Sequence, residues 1–284
     1  MKISIITTSI NRKNELLRFC CSINNQKNID LSNIQFIFVD QGENKDVISS
    51  LDSKIDITYL RHEKCSLSEA RNYALPYVKN KVVAFGDDDC WYEDYCFMNI
   101  FKMFALGYDG VIGQSINEKG NNNVPTPKKQ TKLDAYNHPG AISYTIFLKF
   151  DDSLIFDENI GVGSPYGLAS GEETDYLIEF IRKHENVYFC PNVKVYHPEK
   201  LNSYFDNFYQ KNYQYSKGTG FLLKKQHYPF FIKLKYFVRP LGGIFIHLFR
   251  GNIVYAKRSY YILIGRIIGS VSYTHLTLPT NSRV

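Results

Sequence analysis

The chain has no apolar run near the twenty or so residues that a membrane-spanning helix needs. Pro240–Phe249, its uncharged stretch richest in large apolar side chains, is only ten residues long. Six cysteines, at 20, 21, 65, 90, 96 and 190, form no CxxC pair and no His/Cys zinc spacing. They read as thiols of a reducing compartment rather than as a disulfide framework or a zinc centre. The opening Met-Lys-Ile-Ser-Ile-Ile-Thr-Thr has one lysine and a very short apolar run, so it reads as a first strand and not a signal peptide. A cytoplasmic location follows, with the inner face of the cell membrane as a peripheral site. No repeat of solenoid period occurs. No helix-turn-helix, RNP or zinc-finger pattern accompanies the net charge of +6, so nucleic acid is not an expected partner.

Acid is scarcest near the end. Residues 201–270 carry eleven Lys/Arg against Asp206 alone, a net +10. Arg283 adds one more, which leaves residues 1–200 at −5. An acidic front therefore carries a basic back that is also rich in Tyr, Phe and Ile. That combination suits the surface of an anionic membrane, or a helical subdomain packed on the front. The boundaries read as 1–200 for a main domain, 201–270 for the basic aromatic segment and 271–284 for a separate tail. Val271-Ser-Tyr-Thr-His-Leu-Thr-Leu-Pro-Thr280 resembles the in-frame translation of a transposase-type sequencing-library adaptor. On that reading the tail is set aside from the fold and the natural sequence continues beyond Gly269.

Periodicity gives strands at Ile3–Thr8, Ile34–Val39, Ile55–Leu60 and Lys81–Phe85. Helices fall between them at Asn11–Ile23, with Leu16, Leu17, Cys20 and Ile23 at helical spacing, and at Ser66–Val78. The latter opens on Ser-Leu-Ser-Glu, a capping box. Strands alternating with helices imply βαβ units and a mainly parallel sheet. Further along, 117–132 reads as a mobile polar loop and Ala141–Phe150 as a strand. Glu172–His184 reads as an amphipathic helix, and Val187–Phe189 and Val193–Tyr196 as short strands.

The fourth strand runs straight into chemistry. Val-Val-Ala-Phe-Gly is followed by Asp87, Asp88 and Asp89, and a helix is expected from Trp91. Ligands of open α/β sheets bind beyond the carboxyl ends of strands. Three adjacent carboxylates repel and call for a counter-charge, which a divalent cation that also touches phosphate can supply. A solvated acidic turn is the alternative for the triplet taken alone.

Six motifs in order resemble family 2 glycosyltransferases, closely over residues 1–200 and more loosely to 269. They are Ser4-Ile-Ile-Thr-Thr-Ser-Ile-Asn-Arg12, Phe38-Val-Asp-Gln-Gly42, Leu67-Ser-Glu-Ala-Arg-Asn72, Asp87-Asp-Asp89, Gly171-Glu-Glu-Thr-Asp175 and Tyr196-His-Pro198. The sequence departs from the family at Thr8, where Pro is common, at Gln41, where a second Asp is common, and at Glu173, often Asp.

The resemblance implies a GT-A fold: a mainly parallel nucleotide-binding sheet flanked by helices, followed here by a mostly helical basic segment. It implies an inverting transfer of a sugar from a nucleotide-diphosphate donor to a hydroxyl of a glycan or lipid-linked acceptor, in cell-surface glycan synthesis. Asp89 and His197 would hold Mn or Mg. Thr8, Ser9, Arg12, Asp40, Arg71, Asp87 and Asp88 would face the nucleotide sugar. Glu173 would be the base, with Glu172 left open as the alternative. Gly161–Gly171 would be a flexible approach that orders over substrate. A nucleotidyltransferase of related fold and a non-catalytic membrane-surface scaffold are the competing readings. Thr7-Thr-Ser-Ile-Asn lacks the glycines of the first, and the retained carboxylates argue against the second.

Overall fold

The computed structural model describes residues 1–199 and 207–277, which divide into two units. The first unit comprises residues 1–156 and 176–201, and the second 157–175 and 202–284.

The first unit is built on one sheet of nine strands. These are β1 (Ile3–Ser9), β2 (Ile34–Asp40), β3 (Asp56–Arg61), β4 (Val82–Asp87), β5 (Trp91–Tyr92), β6 (Gly110–Ile116), β7 (Thr131–Lys132), β8 (Ile146–Lys149) and β9 (Val187–Tyr196). Its order is β3-β2-β1-β4-β8-β6-β9-β5, with β7 paired to β9. The pairing is parallel from β3 to β4, antiparallel on both sides of β8, and parallel again between β6 and β9. Helices α1 (Lys13–Asn24), α2 (Lys45–Ile48), α3 (Leu67–Ala74), α4 (Cys96–Ala105) and α5 (Glu172–Lys183) connect the strands, the first turn of α5 counting with the second unit.

Period-two alternation gives each parallel strand two apolar faces, as burial on both sides requires. Ile3, Ile5, Phe36, Phe38, Val82 and Ala84 pack with Leu16, Phe19, Cys20 and Ile23 of α1 and with Phe97 and Ile100 of α4. Ile6, Ile37, Val39, Val83 and Phe85 pack with Ala70 and Ala74 of α3 and with Tyr176, Leu177 and Phe180 of α5. Gly86 is required where β4 approaches its end, since a Cβ there would lie 2.4 Å from the Phe19 ring and 2.9 Å from Thr7 Oγ1.

The elements differ from the sequence expectation in ways that local chemistry explains. Helix α1 cannot start at Asn11, which has φ +53°, and begins at Lys13. The Ser66 cap forms as expected, its Oγ accepting from Glu69 N at 3.2 Å. Pro76 has no N–H, so the α-turns stop at Ala74 and a 3-10 turn, Leu75–Tyr77, completes the element. Trp91 lies in the two-residue β5, and the expected helix starts only at Cys96. The strand expected over 141–150 is shortened to β8, because Thr145 Oγ1 accepts from Ile142 N and donates to Gly140 O, winding 143–145 into a 3-10 turn. The two strands near 190 are one, β9, whose register shifts around Pro191 opposite Gly113. The 117–132 segment is pinned: Asn117 Oδ1 accepts from Lys119 N and Asn121 N, and β7 pairs with β9. All six cysteines are free thiols.

The second unit holds three helices, α6 (Phe208–Lys225), α7 (Phe230–Phe249) and α8 (Ile253–Thr277), with the glycine-rich segment 157–171. Helices α6 and α8 approach closely through glycine: a Cβ on Gly220 would lie 2.1 Å from Arg266 O, and one on Gly269 1.9 Å from Lys217 O. Pro240 inside α7 cannot donate to the Tyr236 carbonyl, and Arg266 of α8 donates to that carbonyl instead. The 161–171 segment is tied to α6. Lys217 Nζ donates to Tyr166 O at 2.9 Å, Ser170 Oγ to Tyr215 O at 2.7 Å, and Ile160 and Leu168 pack on Phe221. The tail read as adaptor lies in α8 as far as Thr277, and residues 278–284 are outside the described residues.

Not all of the basic charge faces water. Lys225 Nζ lies 2.5 Å from Asp157 Oδ2 and 2.9 Å from Asp175 Oδ2, and Gln226 donates to Asp175 at 2.6 Å. Burial opposes the lysine's charge, but Asp175 and Asp157 outweigh it and hold its pKa above the ordinary value. Replacing Lys225 by Met leaves two carboxylates without their cation. Its urea midpoint should fall by the equivalent of about 3 kcal/mol, and a loss under about 0.5 kcal/mol would show the triad to be screened by solvent.

Candidate functional site

The β1–β4 register sets Thr8 beside Asp87, and the β1–β2 register sets Ser9 beside Asp40. The three aspartates therefore emerge at the carboxyl end of β4, beside the end of β1, and Asp88 and Asp89 share Arg12 as a partner. Asp87 Oδ1 accepts from Arg71 Nη2 at 3.1 Å, and Ser143 Oγ lies 2.9 Å from both carboxylate oxygens. Asp88 accepts from Ser9 Oγ at 2.6 Å and from Arg12 Nη1 at 2.7 Å. Asp89 accepts from Arg12 Nη2 at 3.0 Å and faces His197 Nε2 at 3.2 Å.

The electrostatics separate the carboxylates. Burial pushes Asp88 up to about 6, against the pull of Ser9 and Arg12. For Asp89 burial is outweighed by His197 and Arg12, which hold it near about 2. Asp87 is raised, burial prevailing over Arg71 and Ser143. His197 is raised in turn, Asp89 overcoming the cost of burial.

Arg71 is a core residue as much as a site residue. It is 2% exposed, and its guanidinium lies 5.9 Å from the Phe85 ring centre and 5.3 Å from that of Phe156. The adjacent Asn72 clamps the backbone of Phe156, donating to its carbonyl at 2.9 Å and accepting from its N–H at 2.8 Å.

His197 is oriented on three sides. Its backbone N–H donates to Ile116 O at 2.9 Å, its ring stacks on Tyr144 at 5.0 Å, and Nδ1 lies 2.8 Å from Pro198 O. A carbonyl only accepts, so Nδ1 carries the proton and Nε2 turns toward Asp89. An imidazole nitrogen with its other nitrogen so anchored, converging on a carboxylate held ionised, is a donor set that fits Mn or Mg.

Asp40 is placed differently. It is fully buried, and its carboxylate accepts from Gly42 N, Asn44 N, Asn44 Nδ2 and Tyr59 Oη at 2.8–2.9 Å. It holds the 41–44 turn. Burial alone would raise its pKa, but the bonds from Asn44, Gly42 and Tyr59 lower it. Glu172 and Glu173 stand on the first turn of α5, in the second unit; Glu172 is buried and Glu173 half-buried.

Four contributors escape sequence reasoning. Arg18 Nη2 donates to Asp89 O at 2.9 Å and lies 4.0 Å over the Trp91 ring, which stacks on Tyr196. Ser143 and Tyr144 arrive from the 3-10 turn. No spacing marks any of them, because they join the site through the sheet order.

The Glycosyl transferase family 2 model matches residues 4–165, more than half of the chain, and the chain belongs to that family. No curated protein matches it in sequence. Among solved structures it resembles Staphylococcus aureus TarS 1–349, at 13% identity and TM-score 0.62 over 95% of this chain and 92% of that one. It resembles equally a TarS 1–349 complex with UDP-GlcNAc, at 13% identity and TM-score 0.60 over 97% and 92%. The mannosyltransferase PcManGT of Pyrobaculum calidifontis, with GDP-Man and Mn2+, gives 10% identity and TM-score 0.66 over 98% and 88%. The fold is the GT-A fold of glycosyltransferases.

The assignment of Asp40 to the turn is open to measurement. Asp40→Ala should lower the unfolding free energy by about 3 kcal/mol in urea titration, the scale of several lost buried hydrogen bonds. Because its folded pKa lies below the unfolded value of about 3.9, its stabilisation is present above that value and is lost as the pH falls through the folded pKa. Asp40→Asn should flatten that part of the acid limb. A variant as stable as the parent, with an unchanged acid limb, removes the role.

Proposed function

We propose that this protein is a metal-dependent inverting glycosyltransferase that moves a sugar from a nucleoside-diphosphate sugar to a hydroxyl of a glycan or lipid-linked glycan in cell-surface polysaccharide synthesis. The observation that carries this reading is the set of three successive aspartates at the end of β4, held by Arg71 and Ser143, by Ser9 and Arg12, and by Arg12 and His197 in turn. Support comes from relatives in fold that were solved with UDP-GlcNAc and with GDP-Man and Mn2+.

Asp89 and His197 are the residues that would hold the divalent cation, with Asp87 beside them. The ion would supply positive charge opposite the departing diphosphate. Arg12 is half-exposed, and its guanidinium spans Asp88 and Asp89, so it is the protein cation best able to turn toward a phosphate. Arg71 is too deeply held for that, and it fixes Asp87 in place. Thr8 and Ser9 form the exit of β1, where the nucleotide would lie.

Glu173 accepts the proton of the acceptor hydroxyl. The oxygen bonds to the anomeric carbon while that carbon's bond to the diphosphate breaks, and the electron pair leaves with the nucleoside diphosphate. One displacement inverts the centre. The greater openness of Glu173 favours it over buried Glu172, since the base must reach a substrate proton.

Metal dependence, the base and the stereochemistry each test this reading. Chelator should abolish transfer and Mn or Mg restore it, and Asp89→Asn should lose Mn binding by titration calorimetry as well as turnover. Full activity of Asp89→Asn in chelator would sink the metal assignment. Glu173→Gln should keep donor affinity and lose about 100-fold or more in kcat, the scale of a missing general base. NMR of the early product should show the anomeric configuration opposite to the donor's. A crippled Glu172→Gln beside an active Glu173→Gln would move the base by one residue, and retention of configuration would overturn the mechanism.

A further inference from the structure

Helix α7 carries two apolar stripes on nearly opposite sides, and among the described residues only one has a partner. Ile232, Tyr236, Pro240, Gly243 and His247 recur at helical spacing and form the inward stripe. Arg266 donates to the Tyr236 carbonyl, Gly243 abuts Ser259 at 2.9 Å from a would-be Cβ, and His247 stacks on Tyr255, all three partners lying on α8. Two residues out of step, and so roughly 200° around the helix, run Phe230, Leu234, Val238, Leu241, Phe245 and Phe249. These side chains stand in solvent, Phe230 at 68%, Phe245 at 66% and Phe249 at 93% exposure. A contiguous apolar face of this kind on a protein surface marks an interaction site.

The chemistry around the stripe identifies its partner. By helical position Lys235 flanks the stripe on one side, with Arg239 further round that side, and Lys233 flanks it on the other, with Arg250 at the end of the helix. No acidic residue occurs anywhere after Asp206. No helix among the described residues is long and apolar enough to cross a membrane. A helix with large apolar side chains on its outer face, cations along both edges and too little hydrophobicity to span is built to lie in the plane of a bilayer interface. Its cations then meet anionic headgroups while the phenylalanines enter the acyl boundary.

We infer that α7 is an interfacial membrane anchor that lays its Phe230–Leu234–Val238–Leu241–Phe245–Phe249 face into an anionic lipid surface. The inference rests on the second unit alone, so it stands or falls separately from the transferase reading.

Flotation of the full 284-residue chain tests it, with phosphatidylcholine vesicles alone and with vesicles containing about one-third phosphatidylglycerol. The protein should float with the anionic vesicles at low salt, and should be released at about 0.5 M salt. Leu234→Glu/Phe245→Glu changes only exposed side chains and should leave the thermal melt unchanged while cutting partitioning at least about tenfold. Lys233→Gln/Lys235→Gln/Arg239→Gln should cut it about a hundredfold, at about fivefold per cation. A chain that stays unfloated with anionic vesicles at low salt overturns the inference. So does a folded glutamate variant that floats like the parent. Sedimentation showing a dimer that the glutamate variant converts to monomer, with no flotation of either, would assign the stripe to a second copy instead.

Discussion

Three carboxylates in a row at the end of a buried strand cannot stand together without cations, and the front half of the molecule is organised around supplying them. Arg12 leaves β1 and bridges Asp88 and Asp89. Arg71 comes from α3 and reaches Asp87. His197 comes from the end of β9 and meets Asp89. Each partner belongs to a different element, so satisfying this one patch of negative charge fixes the relative placement of β1, α3, β4 and β9. The balance is unequal: His197 and Arg12 hold Asp89 low, and burial pushes Asp88 up to about 6.

Much of this was legible in the sequence where a pattern is local. The alternation of β1, β2 and β4 and the Ser66 cap all act within a few residues, and the structure has them. So does the Asp triplet at a strand end. The expected site residues Ser9, Arg12, Arg71, Asp87, Asp88, Asp89 and His197 converge. What stayed hidden depends on distant partners. Strand β6 and helix α4 carry no sharp start signal, and their places follow from β8 and β9. Ser143 lay inside a predicted strand, yet a threonine two residues on winds it into a turn that aims its hydroxyl at Asp87. Asp40 shows the opposite case: its position is read from the sequence, but the donors on its own turn, which hold the carboxylate, are not.

The second unit follows different rules. Its helices meet through glycine where backbones must come close, and through side chains where the backbone has lost a donor, as when Arg266 takes over the carbonyl that Pro240 leaves. Its lysines are not one population. Lys225 is locked between two aspartates, while the cations of α7 flank a solvent-exposed face. Net charge read from sequence merges those two roles, and only the packing separates them.

The position of Arg71 between Phe85 and Phe156 has a bearing on how this protein assembles. A guanidinium sealed among rings is stable there only once Asp87 is in reach, and Asp87 is in reach only once β4 has joined the sheet. The carboxylate cluster and the apolar layer beneath it therefore share contacts, and Arg71 belongs to both. Turnover measured on any Arg71 variant accordingly reports a product of two quantities, the fraction of molecules that have closed that layer and the rate of those that have.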